Sequence, residues 1–137
     1  MKKIHSSLMS VYYEDTDSTG YVYHSNYIKY AERARSNLVR DKFPELQKLF
    51  NSNEFFFVVS YLDTNFFKPA RLSDNLKVET FLIENSFCSI KLKQQIFREL
   101  LLITDINVKL VWINGQTTKP AKIPENIIAR FNSLEVV

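Results

Sequence analysis

The residues best suited to chemistry are crowded between Tyr12 and Tyr27, where Asp15, Asp17, Gly20 and His24 follow one another in a short polar run. A carboxylate there can attack a carbonyl or deprotonate a water. If a helix starts directly behind it, the unpaired N–H groups and partial positive charge of that helix start can stabilise an oxyanion. Acyl transfer needs these two things, an attacker and a place for negative charge. Plainer uses exist for the same residues. Asp17 can form a turn with Ser18 and Gly20, and His24 can pack beside the helix start or hydrogen-bond a loop carbonyl. Glu14 and Asp15 can either raise the Asp17 pKa by like-charge repulsion, or at least one of them can face solvent or cap a turn. Residue types and spacing leave these alternatives open.

The flanking patterns predict the elements that hold this run. Ser7 to Tyr13 reads as a first strand, and Glu14 to Ser25 as an irregular loop centred on Gly20. From Asn26 to Asp41 the apolar residues Tyr27, Ala31, Ala34 and Leu38 form one helical stripe, with Ser25 or Asn26 available as N-cap. Small Ala31 and Ala34 would let a sheet approach closely. Pro44 breaks this helix, and Glu45 to Asn51 forms a further short turn. Phe55 to Phe67, Leu76 to Leu82, Cys88 to Ile96 and Thr104 to Trp112 read as strands from their aromatic content or period-two alternation. Glu84-Asn85-Ser86, Glu99 to Leu101 and Asn114-Gly115 mark reversals. Pro124 suits the first position of a last helix, Glu125 to Phe131. One long helix against one curved antiparallel sheet is an α+β architecture. Such a sheet keeps an edge in need of cover, so a homo-oligomer is expected.

The chain has 137 residues, so a single domain spanning 1–137 is expected. A net charge of +3, with acidic residues between the basic ones, demands no nucleic-acid partner. The single cysteine, Cys88, excludes an internal disulfide, suits a cytoplasmic setting and reads as a small buried hydrophobe. No run approaches the ~20 apolar residues of a membrane span, so no membrane insertion is expected. No Cys/His cluster, glycine-rich phosphate loop or Gly-x-Ser-x-Gly elbow occurs. The expectation is therefore no metal, no resident cofactor and no serine hydrolase. Glu32 with Arg35 reads as a helix-surface ion pair.

The run Tyr12-Tyr13-Glu14-Asp15-Thr16-Asp17, Gly20, Val22-Tyr23-His24 and Asn26-Tyr27, followed by Glu32-Arg33-Ala34-Arg35, resembles the signature of the 4-hydroxybenzoyl-CoA thioesterase-like hotdog family. Within it the chain is similar to the bacterial acyl-CoA thioesterases encoded with the Tol–Pal envelope system. Weaker matches continue in Phe66-Phe67-Lys68-Pro69-Ala70, Asp74-Asn75-Leu76-Lys77-Val78 and Lys119 to Pro124, so the resemblance covers nearly the whole chain.

It implies a hotdog fold, one long central helix on a curved antiparallel five-stranded sheet, and hydrolysis of an acyl-CoA thioester to an acid and coenzyme A. Asp17 matches the catalytic nucleophile or general base, and the His24 amide matches the group that polarises the thioester carbonyl. The His24 side chain matches a position that helps bind substrate or manage a proton. Tyr13, Asp15, Gly20, Val22, Tyr23, Asn26 and Tyr27 match framing residues, and of these Tyr13, Gly20, Tyr23 and Asn26 are expected to bind substrate, Gly20 through its backbone and Asn26 by capping. Lys68, Arg71, Lys91, Lys93 and Lys119 are candidates for the phosphates of coenzyme A, which is substrate and not cofactor. Ser18-Thr19 and Tyr21 depart from the smaller residues of many relatives, which bears on acyl-chain preference. The family further implies a dimer of dimers; the thiol that carries the acyl group is that of coenzyme A or of an acyl carrier protein. A weakly catalytic acyl-thioester binding module and a hydroxyacyl-thioester dehydratase, in which Glu32 would serve as the acid, are the rival readings.

Overall fold

The computed structural model describes residues 1–136. Five strands form one antiparallel sheet in the order β1 (Lys2–Ser10), β3 (Asn75–Asn85), β4 (Ser89–Arg98), β5 (Leu101–Asn114), β2 (Phe55–Phe66). Helix α1 (His24–Lys42) lies across the sheet, α2 (Pro44–Ser52) follows it, and α3 (Glu125–Ser133) closes the far end. The α+β reading is met.

Period-two alternation explains the sheet. Leu76, Val78, Thr80 and Leu82 on β3, Leu92, Gln94 and Ile96 on β4, and Thr104, Ile106 and Val108 on β5 are all buried beneath the helices. Each turns the other half of its strand to the outer face. The helical stripe Tyr27, Ala31, Ala34 and Leu38 is buried as its spacing requires, and Tyr30 joins it. Ala31 and Ala34 are fully buried, so the helix backbone sits close to the sheet. One apolar cluster gathers beneath the start of α1 around Tyr27, Leu76, Ile96 and Ile106. A second fills the other end around Leu38, Phe43, Trp112 and Phe131. Register shifts between Lys3 and His5, Val59 and Tyr61, Leu82 and Glu84, and Ile96 and Phe97 add curvature to the sheet.

Several boundaries differ from the expected ones. The first strand is Lys2–Ser10, not Ser7 to Tyr13: Tyr12 turns out of the sheet because its N–H is captured by Asp15 Oδ2 at 2.9 Å. Neither Ser25 nor Asn26 caps α1. Its cap position is Tyr23, without a side-chain bond, and the helix starts at His24. Pro44 ends α1 but also opens α2, a nine-residue helix where a turn was expected, because proline fits a first helical position. Pro124 is the cap of α3 and lies just outside it, its carbonyl accepting from the Ile127 and Ile128 amides. Cys88 is half-buried and sits just before β4.

Candidate active site

The polar run folds into a small hairpin leading into α1. Thr16 and Val22 bridge, the Asp17 N–H donates to the Tyr21 carbonyl at 2.9 Å, and the Gly20 N–H donates to the Asp17 carbonyl at 3.1 Å. Gly20 closes the turn at φ +83°, a left-handed conformation that a side chain would resist. Asp15 anchors the hairpin from below. It is buried, and its Oδ2 accepts from the Tyr12 N–H and, at 2.8 Å, from the Tyr30 hydroxyl. Of the two readings of Asp15, the turn cap is the observed one.

Asp17 stands at the exposed tip. Its Oδ1 accepts from the Thr19 N–H at 2.8 Å and from the Thr19 hydroxyl. These bonds favour the ionised form, the hydroxyl's first and the amide's second, and hold the carboxyl below the usual aspartate range despite slight desolvation. Like-charge repulsion does not raise it. Asp17 thus makes the turn that its residue type allows, and its Oδ2 meets no partner among the described residues. Its charge also reaches the Tyr27 hydroxyl, contributing to a raised phenol pKa whose main cause is burial.

The start of α1 is held by three ties. The Tyr23 N–H donates to the Asp15 carbonyl at 3.0 Å, Asn26 Nδ2 donates to the same carbonyl at 2.7 Å, and Val22 N–H donates to Ala70 at 2.9 Å. Asn26 therefore fastens the helix to the loop and does not cap it. Among the described residues the His24 and Ser25 amides meet no acceptor, and the Asn26 amide turns back to Tyr23. Two donors therefore remain at the positive end of the helix. A cavity of about 300 Å³ opens beside them, lined by Val22, His24, Tyr27, Phe66, Phe67, Lys68 and Pro69. Tyr27 is fixed at its wall, its hydroxyl accepting from the Ala70 N–H at 2.9 Å.

The expected site residues divide. Asp17, Gly20 and His24 occupy one hairpin and helix start, with the Tyr23 ring 4.3 Å from the His24 ring. Only His24 of these lines the cavity, and Tyr13 is 83% exposed on a single 3-10 turn away from it. Lys91 and Lys93 are occupied by Glu84 and Asp105, each at 2.9 Å. Arg71 lies 4.7 Å from the Tyr21 ring and donates to its hydroxyl at 2.6 Å. Lys68 stands at the cavity and Lys119 is exposed. Glu32 and Arg35 form no ion pair. Arg35 instead donates to Gln94 Oε1 at 2.9 Å, beneath the helix. Sequence reasoning passed over Tyr30, although it stands one turn from Tyr27 on the buried stripe. It also passed over Thr19 as a ligand of Asp17, visible only as a hydroxyl two residues on. Among the described residues no group of three or more His, Cys, Asp or Glu could hold a metal, and no helix is long and apolar enough to cross a membrane.

A lone long helix on a five-stranded antiparallel sheet, with a carboxylate hairpin at the helix start, defines a hotdog-fold protein of the thioesterase kind. Residues 11–131 match the family model described as the Thioesterase-like superfamily, and the chain belongs to that family. It is 34% identical over 125 residues to "Acyl-CoA thioesterase YbgC" of Haemophilus influenzae, covering 91% of this chain and 92% of that protein. It is 35% identical over 133 residues to "Acyl-CoA thioesterase YbgC" of Helicobacter pylori, covering 90% and 97%. The crystal structure of a probable thioesterase from Bartonella henselae superimposes with a TM-score of 0.79 at 29% identity, covering 88% of this chain and 98% of that one.

Proposed function

We propose that this chain hydrolyses acyl-CoA thioesters, with the carbonyl oxygen held at the His24 amide and Asp17 supplying the attack. The observation that carries the reading is the His24 N–H at the start of α1, which meets no acceptor among the described residues and borders a cavity, with the ionised Asp17 on the short hairpin that leads into the helix. As the carbonyl becomes tetrahedral, its oxygen gains charge that the amide and the helix dipole stabilise. Asp17 either bonds to the carbonyl carbon or takes a proton from a water that does so. The C–S bond then breaks, coenzyme A leaves as the thiol, and water supplies the hydroxyl of the acid. Tyr23 and Gly20 shape this entrance, and Lys68 offers a charge for the coenzyme A phosphates. Asn26 acts here by fixing the helix start, while Tyr13 would touch substrate only where the substrate extends onto the surface.

The working unit in this proposal is a single hotdog domain assembled as a dimer of dimers in the cytoplasm, a setting favoured by its single free cysteine. No cofactor is needed for the step. The dehydratase reading loses ground because Glu32 is exposed and stands two helical turns beyond His24. Release of free thiol from a panel of acyl-CoA and acyl-carrier thioesters tests the proposal. Asp17→Asn should lose most turnover and still fold. Tight acyl-CoA binding without turnover in the unmodified protein would identify a binding module instead, and enoyl product a dehydratase.

A further inference from the structure

A guanidinium stands at the far end of the seam between α1 and β2, and no carboxylate pairs with it among the described residues. Arg35 reaches under α1, and its Nη1 donates to Gln94 Oε1. Gln94 cannot turn away. It is fully buried, and its Nε2 is committed to the Ala31 carbonyl at 2.9 Å and the Thr80 hydroxyl at 3.2 Å. Gln94 therefore holds the guanidinium in place while leaving most of its five N–H donors free. Burial lowers the Arg35 pKa from its ordinary value, with Glu32 partly opposing the shift. A half-buried cation normally meets an anion.

What faces Arg35 is a cavity of about 310 Å³ with walls that include Val39, Phe50, Phe57 and Leu110. Glu32 lies at its rim but is exposed, so solvent screens its charge. This cavity and the one at His24 have no lining residue in common, but both lie between α1 and β2. Strand β2 runs back along α1, with Phe66 against Tyr27 at 5.5 Å between rings at one end and Phe57 beside Val39 at the other. Between them the Thr64 hydroxyl is buried and meets no partner among the described residues. At the helical rise of 1.5 Å per residue, Arg35 stands about 16 Å along α1 from His24.

We propose that Arg35 is a specificity-determining residue that receives a carboxylate at the far end of a long acyl group whose thioester lies at His24. The substrate class is thus a long ω-carboxyacyl thioester, its methylenes along the α1–β2 seam. This rests on the thioesterase reading and names the acyl class for the same site.

The test compares dodecanoyl-CoA with the mono-CoA thioester of dodecanedioic acid. The unmodified protein should favour the ω-carboxy substrate in kcat/KM by about tenfold or more, as a charged hydrogen bond would give. Arg35→Gln should bring the ratio close to one, and Arg35→Lys should restore part of the preference. A ratio at or below one in the unmodified protein overturns the proposal without any variant, as it would if a second copy's carboxylate already occupied Arg35. Calorimetric titration with dodecanedioate and dodecanoate judges Arg35 apart from turnover. If neither thioester is cleaved, hydrolysis fails as a reading. Tighter binding of the diacid, lost in Arg35→Gln, would still support the role of Arg35, and equal binding of the two acids would overturn it.

Discussion

Thr19 donates to Asp17 Oδ1 twice, from its amide and from its hydroxyl, so the turn that displays the carboxylate also keeps it ionised. Only the charged form can attack a carbonyl or accept a proton from water. Because the folded pKa is lowered, ionisation persists as pH falls, and activity should decline only below the usual aspartate range. Thr19→Val removes the hydroxyl bond, the largest cause, and retains the amide bond. The pKa should rise part of the way back, and the acid limb of kcat/KM should move to higher pH. A pH–rate profile unchanged by Thr19→Val would separate Asp17 from the rate-limiting ionisation.

Asp15 is tied to α1 by the Tyr30 hydroxyl, and the same residue carries the Tyr12 amide and, through its carbonyl, the Tyr23 and Asn26 donors. Tyr30→Phe leaves a buried carboxylate oxygen with one donor fewer. The expected loss is about 1–3 kcal/mol in urea unfolding. Turnover should fall as well, since the hairpin that aims Asp17 is hung on Asp15. Normal stability in Tyr30→Phe would show that water replaces the hydroxyl and that the tie is dispensable.

The two glycines predict different outcomes for one substitution. Gly20 has a left-handed backbone, yet nothing lies within 4 Å of where its Cβ would be. Gly20→Ala should therefore cost about 1 kcal/mol of backbone strain and reduce activity by reshaping the Asp17 turn. Gly115 has an ordinary φ, but an added Cβ would lie 1.7 Å from the Asn53 carbonyl oxygen. Gly115→Ala must push the end of α2 away from β5, and stability should drop by more than in Gly20→Ala with kcat little changed. Paired denaturation curves and thiol-release assays decide between these patterns.

How much of this was legible in the residues depends on where each signal resides. The α1 stripe and the inner faces of β3, β4 and β5 follow from periodicity, because burial on one face is itself a periodic demand. The start of β1 was missed because Lys2, Lys3 and His5 look polar, although Ile4 and His5 are buried. The helix start was misplaced because Asn26 has the chemistry of a cap but spends its amide on a loop carbonyl. Asp17, Gly20 and His24 were identifiable as a motif; the contacts of Tyr30 and Arg35 were not, since their partners Asp15 and Gln94 lie 15 and 59 residues away. Contacts of that span are set by the sheet and leave no local pattern.

The two edges of the sheet are not equivalent, and this bears on assembly. Along β1, the Val136 N–H donates to the Lys3 carbonyl at 2.9 Å and Lys2 Nζ donates to the Asn132 carbonyl, so this edge is blunted by the C-terminal segment. Among the described residues strand β2 has β5 as its only neighbour in the sheet, and it exposes Val58 by 39%, Val59 by 48% and Tyr61 by 57%. An apolar, uncovered edge of this length invites pairing with another chain, and a closed two-fold contact satisfies it without further growth. The unmodified protein should therefore have at least twice the chain mass by light scattering. Joint replacement of Val58 and Val59 by Lys places repelling charges along that edge and should yield the single-chain mass, with folding retained by circular dichroism. An assembly that survives the paired lysines would have to be held by another face, and a single-chain mass in the unmodified protein would refute pairing through β2 altogether.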